Sequence, residues 1–81
     1  MQVTVKLFAR ARDLAGADQV VLDLPASGRV RDLKRSLGAK FPQMAPLIPD
    51  LLVAVGNEYA SADAVVSPQA EVACFPPVSG G

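Results

Sequence analysis

Histidine and tryptophan are absent from these 81 residues, and there is one cysteine and one tyrosine. Without histidine, neither a Ser-His-Asp nor a Cys-His arrangement can be assembled. A single cysteine, Cys74, excludes an intramolecular disulfide and leaves a typical zinc site without its ligands. Charge of one sign is also missing: eight basic residues balance eight acidic ones, so no overall field draws the chain to nucleic acid or an anionic membrane. No apolar run approaches the roughly 18 residues that would read as a bilayer span. Met1-Gln2-Val3-Thr4-Val5-Lys6 has neither the charged start nor the apolar block of a secretory signal. The expectation is a cytoplasmic protein with no nucleic-acid or membrane partner and no metal or cofactor of its own.

What is present is enough for one small domain over residues 1–81. Hydrophobic residues make up 51% of the chain, so a core can form. Residues 2–9 alternate, with Val3, Val5 and Leu7 on one face and Thr4, Lys6 and Phe8 on the other, a half-buried strand. Residues 10–18 read as a connection with at most a helical turn near Arg12-Asp13-Leu14-Ala15. Val20, Leu22 and Leu24 then mark a second strand, so the two form a hairpin with a long loop. Val30, Leu33, Leu37 and Phe41 make one stripe of an amphipathic helix, capped by Ser27 or Gly28 and ended by Pro42. Residues 43–50 read as a compact loop and 51–55 as a strand. Gly56-Asn57 is a type II′ turn signal leading to a brief strand at 58–60. After a connection over 61–70, residues 71–75 form the last strand. This order predicts an α+β domain, a mixed sheet of four to five strands packed on one main helix. Two basic clusters, Arg10/Arg12 and Arg29/Arg31/Lys34/Arg35, read as solvated faces.

The last residues, Pro76-Pro77-Val78-Ser79-Gly80-Gly81, are the most informative. The proline pair holds its stretch extended and cannot continue a sheet ladder through an N–H. Two glycines without Cβ atoms make the end thin and conformationally free. Residues 76–81 are expected to protrude as a flexible tail, at most about 20 Å long, able to thread a narrow channel and present the Gly81 carboxylate.

A second group of residues is aromatic. The alternation that turns Val3, Val5 and Leu7 inward turns Phe8 outward. Placing Val72 and Cys74 inward turns Phe75 outward as well. If the first and last strands are neighbours, both rings share the face away from the helix, and clustered exposed aromatics mark an interface. Cys74, on the core side, is expected to be a small buried hydrophobe rather than a nucleophile.

Three stretches carry a family resemblance. Leu7-Phe8-Ala9-Arg10-Ala11-Arg12-Asp13-Leu14-Ala15-Gly16 resembles the opening of the molybdopterin synthase small subunits, ubiquitin-like sulfur carriers of the β-grasp fold. Leu52-Val53-Ala54-Val55-Gly56-Asn57-Glu58-Tyr59 is similar to their hairpin, and Glu71 through Gly81 to their Pro-Pro-Val-Ser-Gly-Gly ending. The resemblance implies a β-grasp in which the first and last strands lie adjacent and parallel. It implies that Gly81 is adenylated by an E1-like enzyme that uses ATP, converted to a thiocarboxylate by a persulfide donor, and inserted into the large synthase subunit. There it would donate sulfur to a pterin precursor in molybdenum cofactor biosynthesis. The small subunit would be a non-catalytic member of a heterotetrameric sulfurtransferase. Gly80 would keep the approach narrow. Pro76, Pro77, Val78 and Ser79 would form the inserted arm, and Phe8, Tyr59 and Phe75 would contact the partner. Two departures concern local turns: Pro68-Gln69-Ala70 stands where Asp-Gly-Asp is common, and Gly56-Asn57 where Asn-Gly is expected. A sulfur carrier of thiamine type and a ubiquitin-like protein modifier are the alternatives.

Overall fold

The computed structural model describes residues 1–77. In chain order the elements are β1 (Gln2–Leu7), α1 (Ala9–Ala15), β2 (Gln19–Asp23), α2 (Val30–Lys40), two 3-10 turns (Pro42–Met44 and Ile48–Asp50), β3 (Leu52–Val55), β4 (Glu58–Tyr59) and β5 (Val72–Phe75). The strands make one sheet in the order β2-β1-β5-β3-β4. β1 pairs antiparallel with β2 and parallel with β5, while β3 runs antiparallel to both β5 and β4. The first and last strands are thus adjacent, parallel and central, as a β-grasp requires.

Period-two alternation sets which face is covered. Val3, Val5 and Leu7 of β1, Val20 and Leu22 of β2, Val53 of β3, and Val72 and Cys74 of β5 are all buried. They meet Val30, Leu33 and Leu37 from α2, whose spacing puts them on one stripe. Met44 and Leu51 close the bottom of this core. Val66, in the stretch read as a plain connection, is also fully buried. Its N–H donates to the Gly28 carbonyl at 2.8 Å, so this stretch is pinned across the start of α2. No helix among the described residues is long and apolar enough to cross a membrane.

Four local expectations are corrected. β1 stops at Leu7, two residues early, because Phe8 is already the N-cap of α1. α1 is a seven-residue helix rather than a loop with one turn; only Ala11 of it is buried, and Gly16 terminates it in the left-handed region at φ 75°. The N-cap of α2 is Arg29, not Ser27 or Gly28. A guanidinium cannot accept a hydrogen bond, so Asp32 caps in the reverse sense, its Oδ2 accepting from the Arg29 N–H at 2.8 Å. Finally, α2 ends at Lys40, and Phe41 is its C-cap, packed at the margin of the core rather than within the helical stripe.

The two unusual turns have clear solutions. At Gly56-Asn57 only the glycine has positive φ, +66°, which matches the type II′ pattern. At the Pro68 turn, the Ser67 carbonyl accepts from the Ala70 N–H at 3.1 Å and the Ser67 hydroxyl from the Gln69 N–H at 3.4 Å. Proline presets the turn, so no acidic residue is needed to form it.

Candidate functional site

The sheet face that α2 leaves uncovered carries the candidate site. Leu7 pairs with Cys74 in the parallel ladder, and the Phe8 N–H donates to the Cys74 carbonyl at 3.3 Å. This places Phe8 beside Phe75 on the open face. Their rings stack, with centroids 5.0 Å apart and planes 12° from parallel. Leu52 is the antiparallel partner of Phe75 and extends this row. In the next row Lys6, Ala73, Ala54 and Tyr59 lie side by side. Tyr59 meets Phe75 edge-on, with centroids 6.3 Å apart. The outward phase of Phe8, Phe75 and Tyr59 is as expected, and the three aromatics form one cluster.

This surface is apolar and wet. Phe8 is 41% exposed, Leu52 39% and Tyr59 73%. Ala54 and Ala73 are too small to fill the space between the rings and the β3–β4 turn. A shallow concavity of about 350 Å³ remains, lined by Phe8, Tyr59, Phe75, Ala54, Ala73, Lys6 and Glu71, with Gly56 and Asn57 at its edge. Lys6 Nζ donates to Glu71 Oε1 at 2.8 Å along one side. The hydrogen bond first, and the opposite charge second, lower the Glu71 pKa and raise that of Lys6. Leu52 and the Lys6–Glu71 pair were missed at the level of sequence. The signal for Leu52 was available: with Leu51 and Val53 inward, an apolar residue between them must face out.

Cys74 is buried beneath the cluster, on the opposite side of β5 from Phe75. Burial pushes its thiol up to about 12, against a weaker downward pull from Lys34. A thiol so hard to ionise is not a nucleophile near neutral pH, which agrees with its reading as a core residue.

β5 delivers the chain to Pro76 and Pro77 directly beside the aromatic cluster; Pro76 is half-buried and Pro77 exposed. Val78, Ser79, Gly80 and Gly81, read above as arm and carrier residues, lie outside the described residues. The end of β5 therefore sets a partly exposed aromatic cluster next to the point where residues 78–81 begin.

The ThiS family profile matches residues 5–81. The chain belongs to the ThiS family. Among curated members, the molybdopterin synthase sulfur carrier subunit of Escherichia coli (strain K12) is 36% identical, the alignment covering 98% of this chain and 99% of that protein. The corresponding subunit of Arabidopsis thaliana is 33% identical over all of this chain and 84% of its own length. Among solved structures, SAMP1 from Haloferax volcanii superposes on this ThiS-family chain with a TM-score of 0.85 at 27% identity, covering both chains completely. The shared fold is the ubiquitin-like β-grasp.

Proposed function

We propose that this chain is the sulfur-carrying subunit of a molybdopterin synthase. The observation that carries the reading is full-length similarity to named sulfur carrier subunits, joined to an aromatic docking face at the root of a Pro-Pro-Val-Ser-Gly-Gly segment. In this reading the Gly81 carboxylate is the working group. It is ionised at neutral pH and resists nucleophiles. An E1-like partner uses ATP to convert it to an acyl-adenylate, releasing pyrophosphate. A persulfide donor attacks the carbonyl carbon and expels AMP, giving an acyl disulfide. A thiol cleaves the S–S bond of that intermediate, leaving the thiocarboxylate and a new disulfide between the donor and the thiol. The large synthase subunit receives the tail, and sulfur passes to a pterin precursor there.

The aromatic face and the last residues divide the work in this scheme. Phe8, Phe75, Tyr59 and Leu52 hold the partner, and Pro76 and Pro77 cannot extend the sheet ladder through an N–H. Gly80 lets backbone alone pass through the channel. Acid, base and nucleotide site belong to the partners, in keeping with a chain that has no histidine and a buried, unreactive cysteine.

Intact-mass spectrometry of the protein incubated with activating enzyme, ATP and a persulfide donor tests this proposal. The expected product is heavier by the exchange of one oxygen for one sulfur at Gly81. Removal of Gly81 should abolish that gain with the melting temperature unchanged, and Gly80→Val should sharply reduce it. The structural likeness to a protein described as small archaeal modifier protein 1 supports a second reading, in which Gly81 is joined to a lysine of another protein. A product carrying the mass of a second chain would select that reading.

A further inference from the structure

The edge of the sheet formed by β2 is closed by two side chains of α2. The phase of the β1–β2 ladder decides which groups point outward. Met1 and Leu24 exchange hydrogen bonds at one end, and the Leu7 N–H donates to Asp18 at the other. Alternation between these ends turns the backbone N–H and C=O groups of Leu22 and Val20 toward β1. Those of Gln19, Val21 and Asp23 face away from the sheet. A bare row of this kind is a template for another strand.

Here two of the three outward carbonyls, those of Val21 and Asp23, are occupied. Lys40 Nζ donates to the Val21 carbonyl at 2.9 Å, and Ser36 Oγ to the Asp23 carbonyl at 3.4 Å. The match is geometric. Ser36 and Lys40 are four residues apart on α2 and lie one above the other, about 6 Å along the axis. Val21 and Asp23 are two residues apart on a strand, about 6.8 Å. One helical turn therefore spans two successive outward carbonyls. An incoming strand would have to displace both donors and desolvate the Lys40 ammonium.

We propose that Ser36 and Lys40 keep this chain from pairing edge to edge with a second copy of itself. The partner they exclude is β2 of another molecule, antiparallel about a twofold axis at Val21. With the two donors removed, the outward groups of 19, 21 and 23 are self-complementary in that arrangement. The exposed Val21 side chains would then add an apolar cross-strand contact. This proposal is independent of the sulfur-carrier reading.

Sedimentation velocity and amide hydrogen exchange test it on the full chain, from micromolar to millimolar concentration. The wild type should keep the mass of one chain, and Gln19, Val21 and Asp23 amides should exchange at rates independent of concentration. The Ser36→Ala/Lys40→Met variant should rise toward the mass of two chains, with those three amides slowing about tenfold or more as it associates. Adding Val21→Pro removes an outward donor without breaking a bond to β1, and should restore the single-chain mass. A folded double variant that stays monomeric overturns the proposal, as does association that survives Val21→Pro. If the double variant does not fold, Lys40→Met alone and the wild-type exchange series decide. Wild-type amides at 19, 21 and 23 that slow with concentration would overturn it without any variant.

Discussion

Phe75 and Cys74 are neighbours with opposite fates, and each makes a prediction. Phe75 stacks on Phe8, meets Tyr59 edge-on and pairs with Leu52 across the ladder, yet it is only half-buried. An aromatic at the centre of an interface commonly contributes about 2 kcal/mol or more, roughly thirtyfold in affinity. Phe75→Ala should therefore weaken binding to a large synthase subunit by about that factor, measured by calorimetry. The loss in melting stability should be much smaller. Cys74 titrates where the rest of the core cannot. Its folded pKa stands near 12, above the ordinary 9.0. The unfolded chain therefore releases the thiol proton first, and stability falls as pH rises from about 9 toward 12. The slope is at most about 1.4 kcal/mol per pH unit. Denaturation of the wild type and Cys74→Val across that window should give a difference that moves against the wild type as pH increases. A difference constant with pH would mean that the thiol is not desolvated.

At the level of elements, glycine separates the two helices. Gly38 lies inside α2, and a Cβ there would meet only Ile48 Cγ1 at 3.7 Å, an ordinary contact. Gly38→Ala should stabilise the domain by about 0.4–1 kcal/mol in chemical denaturation. Gly16 ends α1 at φ +75° with open space around it, so Gly16→Ala should cost about 1 kcal/mol from backbone conformation alone. These same elements show what was legible in the sequence. α2 was visible because Val30, Leu33 and Leu37 recur at helical steps and bury one stripe. β1 and β5 were visible because their alternation is clean, and it also gave the outward phase of Phe8 and Phe75. α1 was not visible, because two turns are too few to establish a helical period, and of its short Ala11, Leu14, Ala15 stripe only Ala11 is fully buried. The Arg29 cap was hidden by a rule that looks for acceptors at the cap itself, whereas the acceptor is Asp32, three residues on. Val66 was hidden because it enters the core as a single residue, without a periodic neighbour.

For the whole molecule, the two central strands come from opposite ends of the sequence. Val5 pairs with Val72 in a parallel ladder, so the middle of the sheet cannot form until the ends of the chain have met. Such long-range pairing slows folding relative to a helical protein of similar size. Stopped-flow refolding of a variant weakened only at this ladder, Val72→Ala, should show mainly faster unfolding if the β1–β5 ladder forms late. Removing residues 78–81 should alter neither limb; among the described residues the last buried one is Cys74.

The parallel β1–β5 ladder also decides how the domain resists force. A partner that grips the last residues and draws them inward pulls along the axis of β5. β1 lies beside it and runs in the same direction, with its own start at the opposite end. Tension between the two ends therefore slides one strand past the other. The rungs at Val5–Val72, Lys6–Ala73 and Leu7–Cys74 share the load and must break together, instead of parting one after another like a zip. A tail rooted in this way can be tugged hard without unravelling the body behind it.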